Sequence, residues 1–235
     1  RLNVMSIPGR LLRAQALQGM GRHAEAREEL NRVLKINPDS IETKFRLGML
    51  DLGLKNYAAA EQTFRACLSG ARREVLCVIG LAEVYSAQKQ FDKAAEVLRE
   101  EDKRTPGRRE ILLALANTSV LAGKYDEAIQ LFRNLIAKDP ESADLHLRLA
   151  ETYRRSGNIP AAIEHFRMVK QLQPNNPEAG VWLALLLHQT GREAEAKTHY
   201  EQILRLQPDN AIALNNLAYV LAEHGGDLDV ALTYA

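Results

Sequence analysis

Prolines at a fixed interval constrain this chain more than any other feature. Pro38, Pro106, Pro140, Pro174 and Pro208 lie on one comb with a spacing of 34 residues, interrupted at Arg72. The flanking residues repeat as well: Leu172 to Asn176 reads Leu-Gln-Pro-Asn-Asn, and Leu206 to Asn210 reads Leu-Gln-Pro-Asp-Asn. Self-similarity at such a period belongs to arrays in which each unit buries its apolar face only against its neighbours. The period, not the length, therefore sets the structural unit, and 235 residues hold about six and a half of them.

A second set of turns lies between the comb teeth. Gly21, Gly123, Gly157 and Gly191 occupy one position of the repeat, where glycine ends a helix by entering the left-handed region at little cost. Lys55 and Lys89 stand there in the other two units; Asn56 is expected to supply the left-handed residue in the first case, and Lys89-Gln90 is the weakest turn of the set. Each unit thus divides into a helix, a short turn, a second helix and a proline turn. Asp39-Ser40, Glu141-Ser142, Asn175-Asn176 and Asp209-Asn210 follow their prolines and offer oxygens to the free N–H groups of the next helix. Pro160 suits the first turn of a second helix, where its missing N–H does no harm. At the interrupted tooth, Ser69-Gly70 is expected to stop the helix in proline's place.

Two columns of small residues explain why the helices pair. First helices carry Ala14, Gly48, Ala82, Ala116, Ala150, Ala184 and Ala218 at one position; second helices carry Ala26, Ala60, Ala94, Ala128, Ala162 and Ala196. Backbones approach closely there, and large groups fill the flanks: Leu47, Leu81, Leu115, Leu149, Leu183 and Leu217 on one side, Leu30, Phe64, Leu98, Phe132, Phe166 and Tyr200 on the other.

With Ala150, Tyr153, Gly157, Ala162, Phe166 and Pro174 as one matching set, and parallel sets in the neighbours, the chain resembles the tetratricopeptide repeat (TPR) family. The resemblance implies an all-α, right-handed superhelical solenoid of antiparallel helix pairs. One solenoid is expected over 1–235, with repeats at 7–40, 41–74, 75–108, 109–142, 143–176, 177–210 and a partial one at 211–235. Arg13 breaks the leucine column, and Pro8-Gly9 weakens the start of the first helix. The charged run from Arg99 to Arg109 reads as a solvated helix end and loop. The chain opens on Arg1 rather than Met and stops inside a helical pattern, as expected of a piece of a longer protein.

Nothing in the sequence asks for catalysis or a cofactor. The histidines at 23, 146, 165, 188, 199 and 224 show no metal-ligand spacing, and neither a phosphate loop nor a nucleophile elbow is present. The near balance of 31 Lys and Arg against 30 Asp and Glu argues against nucleic acid as a partner. The longest apolar run, Val181 to Leu187, is too short for a bilayer, and cytoplasm and periplasm both stay open. Cys67 and Cys77 read as two small buried hydrophobes rather than a disulfide.

In this family the first helices line a concave groove, which implies a protein or peptide partner held there. Residues at spacings i, i+4 and i+7 on those helices are the candidates. They include Phe45 and Met49, Ile79 and Glu83, Leu113 and Asn117, Leu147 and Glu151, and Arg154 and His188, with Arg148 and Arg155 completing a charged patch. Trp182, two residues beyond Gly180, is a candidate anchor. The family's carboxylate clamp is disfavoured because the matching first-helix residues include no lysine and Asn117 and Arg148 alone do not make it, and its asparagine ladder because the column Leu12, Arg46, Gly80, Ala114, Arg148, Trp182, Asn216 holds one asparagine.

Other readings are a recruiting arm of a larger, glycosyltransferase-like enzyme and a self-assembling component joined through Leu228 and Leu232 of the open last repeat. The ending, from Asn215 to Asp227, resembles bacterial TPR proteins, including some linked to exopolysaccharide export and envelope assembly.

Overall fold

The computed structural model describes residues 6–69 and 74–223. They fall into two compact units, 1–124 and 125–235, each taken by itself below. The interrupted tooth at Arg72, Gly70 and the last-repeat residues Leu228 and Leu232 lie outside the described residues.

The first unit is built from α1 (Ile7–Gly19), α2 (His23–Ile36), α3 (Ile41–Gly53), α4 (Tyr57–Leu68), α5 (Val75–Ala87), α6 (Phe91–Arg104) and α7 (Arg109–Leu121). The second holds α8 (Tyr125–Lys138), α9 (Ala143–Arg155), α10 (Ile159–Leu172), α11 (Pro177–Gln189), α12 (Glu193–Leu206) and α13 (Ala211–Glu223). All regular structure among the described residues is helical, so the chain is an all-α repeat array.

The small columns are the seams of that array. Both alanine columns are buried throughout, and the bulky residues that follow, from Leu30 and Phe64 to Phe166 and Tyr200, are buried with them. The closest packing surrounds Phe64. A Cβ on Gly48 would come within 2.7 Å of its ring, and one on Gly80 within 2.5 Å. The ring of α4 is thus clamped between glycines of α3 and α5, and any larger residue at either place must displace it.

The turns show which residue of each pair does the work. Ser40, Asn176 and Asn210 accept from the N–H groups of Thr43, Ala179 and Ala213, while Ser142 makes no side-chain cap bond. The second residue after the proline is therefore the cap, because it alone sits at the boundary of the following helix. Ser6 likewise accepts from Gly9 N–H, so α1 starts cleanly despite Pro8-Gly9. Arg13, the break in the leucine column, lies 3.4 Å from the buried carboxylate of Glu29, which Arg10 also holds at 2.9 Å. An ion network replaces aliphatic packing at that end.

Two sequence expectations are corrected here. Lys55 itself takes the left-handed conformation, with φ of 60°, and Lys89 does the same at 58°; Asn56 stays at φ −82° as the N-cap residue of α4. The closing hydrogen bonds to carbonyls one turn back fix the position that must turn, whatever residue occupies it. These bonds run from Asn56 N–H to the Asp51 carbonyl and from Gln90 N–H to the Tyr85 carbonyl.

The second correction concerns the cysteines. Cys67 and Cys77 form a disulfide, with Cα atoms 6.3 Å apart, tying the end of α4 to the start of α5. Both are buried, as the sequence reading held. Their columns are the buried inward positions of every junction, occupied elsewhere by Val169 and Ala179 or by Ile203 and Ala213. Two thiols placed in such facing positions meet. The hydroxyl of Tyr85 strengthens the same junction, donating to Glu61 and accepting from Arg65, each at 2.7 Å.

Candidate partner-binding groove

Helices α5 and α7 pack against one another in the first unit, and their exposed faces leave a cavity of about 370 Å³ between them. The residues at spacings i, i+4 and i+7 converge on it: Ile79, Glu83 and Ser86 from α5, Leu113 and Asn117 from α7. Ala82 and Ala114 complete the apolar lining, with the exposed Leu121 at its edge. The opening depends on Ala114, which shares a repeat column with Arg148 and Trp182. Where the second unit carries long side chains in that column, this pair of helices carries a methyl group.

Two carboxylates stand at this cavity, and no Lys, Arg or His is among its lining residues. Glu110 lies 3.7 Å from Arg108. Glu83 makes no hydrogen bond or ion pair among the described residues, and desolvation by the surrounding walls raises its pKa above the ordinary carboxylate value. The arrangement offers apolar contact together with a solvent-exposed carboxylate, Glu83, that no cation among the described residues holds.

Phe45 and Met49 are half-buried on α3 outside this cavity, with the Phe45 ring 6.1 Å from that of Phe64. In the second unit the candidate residues meet each other. The Arg154 guanidinium lies 4.1 Å from the centre of the Trp182 ring and donates to Glu151 at 3.0 Å. Arg148 donates to Asp144 at 2.9 Å, and Arg155 lies 3.7 Å from Glu151. The charged patch is thus interleaved with acids of its own helix. Leu147 is half-buried, and His188 sits beside two tyrosines, its ring 6.5 Å from Tyr200 and 5.5 Å from Tyr219.

A histidine pair in the second unit escaped the sequence reading. His146 Nε2 lies 3.0 Å from the Pro140 carbonyl, which can only accept, so Nε2 carries the proton. His146 Nδ1 then accepts from His165 Nδ1–H at 3.0 Å. Tyr153 stacks on His165, with ring centres 5.6 Å apart. Burial, followed by the charges of His146 and Arg133, pushes the His165 pKa down to about 4. The next repeat places Gly180 and His199 at the equivalent positions, and there the Lys170 ammonium fills the space beside the glycine. Column comparison carries this signal, but only when first and second helices are read together. Among the described residues no group of three or more His, Cys, Asp or Glu could hold a metal ion, and no helix is long and apolar enough to cross a membrane.

Family models described as "Tetratricopeptide repeat" match residues 8–50, 41–69, 119–174 and 154–215, together more than half of the chain. The chain belongs to the tetratricopeptide repeat family. Among solved structures, the C-terminal part of a TPR repeat-containing protein from Cytophaga hutchinsonii superposes with a TM-score of 0.72 at 18% identity, over 95% of this chain and 93% of that one. A tetratricopeptide repeat protein from Parabacteroides merdae gives 0.67 at 16% identity, over 97% and 90%. YrrB, described as a TPR protein with an unusual peptide-binding site, gives 0.52 at 18% identity, over 80% and 94%. These likenesses concern the fold. The search of curated proteins returned no match. As a class, TPR chains are scaffolds for protein–protein interaction, typically without catalysis, and bind protein or peptide partners.

Proposed function

We propose that this chain binds a segment of a partner protein along the exposed faces of its first helices, with the cavity between α5 and α7 as the principal contact. One observation carries the reading: the cavity of about 370 Å³ has an apolar floor and an acceptor with no internal partner, a combination suited to a side chain supplied from outside. Ile79 and Leu113 provide affinity by burying apolar surface, and Glu83 and Asn117 orient what enters. Phe45 and Met49 extend the apolar face on α3. In the second unit, taken by itself, Leu147, Arg148, Glu151, Arg154, Arg155, Trp182 and His188 are secondary contacts, since arginines already paired with acids add little affinity.

A hollow over α2, bordered by Glu28, Asn31, Arg32, Leu34 and Lys35, is a weaker candidate because one helix alone walls it and all but Leu34 of its lining is polar or charged. A photo-crosslinking residue at Ser86, beside the cavity, should capture the physiological partner in cells that express the full protein. The same residue at Glu28 should not. Equal capture at both positions, or capture only at Glu28, would rule this reading out.

A further inference from the structure

Charge complementarity narrows the kind of segment this cavity takes. A purely aliphatic side chain would cover Ile79, Leu113 and Leu121 but would strip water from the exposed Glu83 carboxylate and put nothing in its place. An acidic segment would meet Glu83 and Glu110 with like charge. A long basic side chain satisfies both halves of the site, since its methylene stem lies on apolar surface while its cationic head reaches a carboxylate.

Resting on the groove reading above, we propose that the cavity between α5 and α7 is a pocket for a lysine or arginine side chain of an extended partner segment, with Glu83 as the residue that selects it. Ala114 and Ala82 leave room for the stem. Glu83 is suited to the head because no internal cation competes for it, in contrast to Glu151, Asp144 and Glu195, each of which already holds an arginine. At Trp182 in the second unit the protein's own Arg154 lies 4.1 Å from the ring centre, over a face that a guest would use.

The test selects ligands without presupposing a partner. A phage-displayed library of random dodecapeptides is panned against the wild-type chain, Glu83→Gln and Leu113→Glu, and circular dichroism checks each variant for fold. The expected result is enrichment of peptides with Lys or Arg beside apolar residues on wild type, and loss of that basic preference on Glu83→Gln. For a synthetic winner measured by fluorescence anisotropy, replacing the basic residue by norleucine should weaken binding about tenfold on wild type and hardly at all on Glu83→Gln. Peptides that lose binding on Leu113→Glu but show no basic preference, or ignore Glu83→Gln, would overturn this inference and leave the groove reading standing. Winners indifferent to Leu113→Glu, or no enrichment at all, would count against both.

Discussion

The α5–α7 pair and the α9–α11 pair treat the same repeat column in opposite ways. Between α5 and α7 the column holds Gly80 and Ala114: Phe64 covers the glycine from the core side, and the alanine leaves a cavity. In the second unit the column holds Arg148 and Trp182, and the Trp182 ring is covered by Arg154. One face is open and carries an unpaired acid; the other is closed on its own charges. The repeat therefore fixes where a groove-facing residue sits, while the size of that residue decides whether the position is a site or a surface.

The largest expected effects probe how tightly the first unit is packed compared with the second. Gly80→Ala puts a methyl group into the Phe64 ring and should cost about 1–3 kcal/mol in urea unfolding. Gly180→Ala in the second unit meets Ile203 at an ordinary 3.5 Å and should be neutral or stabilise by up to about 1 kcal/mol, since alanine favours the helix. Equal losses at the two sites would break the contrast.

Next comes the bond between Cys67 and Cys77. The Cys67→Ala, Cys77→Ala double variant should lose about 2–3 kcal/mol, the range for a short closed loop. Thiol titration of the denatured, unreduced wild type should find no free thiol at these positions.

The second unit is expected to be the acid-sensitive one. The folded pKa of His165 lies below its unfolded value, so the fold favours the neutral ring. That stability is complete above about pH 6.5 and is lost as the pH falls toward 4, with a magnitude of about 1–2 kcal/mol after allowance for the ring's partial exposure. His165→Gln should flatten this part of the pH profile. An unchanged profile would show that His165 is not the group concerned.

The smallest effect concerns the closed face. Arg154→Gln should remove the stacking on Trp182 at a cost of about 0.5–1 kcal/mol and raise the accessibility of the indole to acrylamide quenching.

Much of this was legible in the sequence, because repetition exposes what the backbone requires. The proline comb and the two alanine columns located the helices and their seams, and the i, i+4, i+7 rule named five of the cavity's lining residues. The cavity itself was hidden. It is made by what Ala114 lacks, and a list of candidate contact residues does not register an absence. The His146–His165 pair was hidden because it joins positions on two helices and a single column shows only one of them, whereas Cys67 and Cys77 could be placed near one turn from the sequence, which did not show that they bond.

The most direct measurement of the central claim is a methyl-NMR titration of the full chain with a partner-derived peptide. The account expects the largest shift changes at the methyls of Ile79, Leu113 and Leu121, with those of Leu185, three residues beyond Trp182 in α11, nearly unmoved. Changes concentrated around Trp182, or spread over α2, would contradict it.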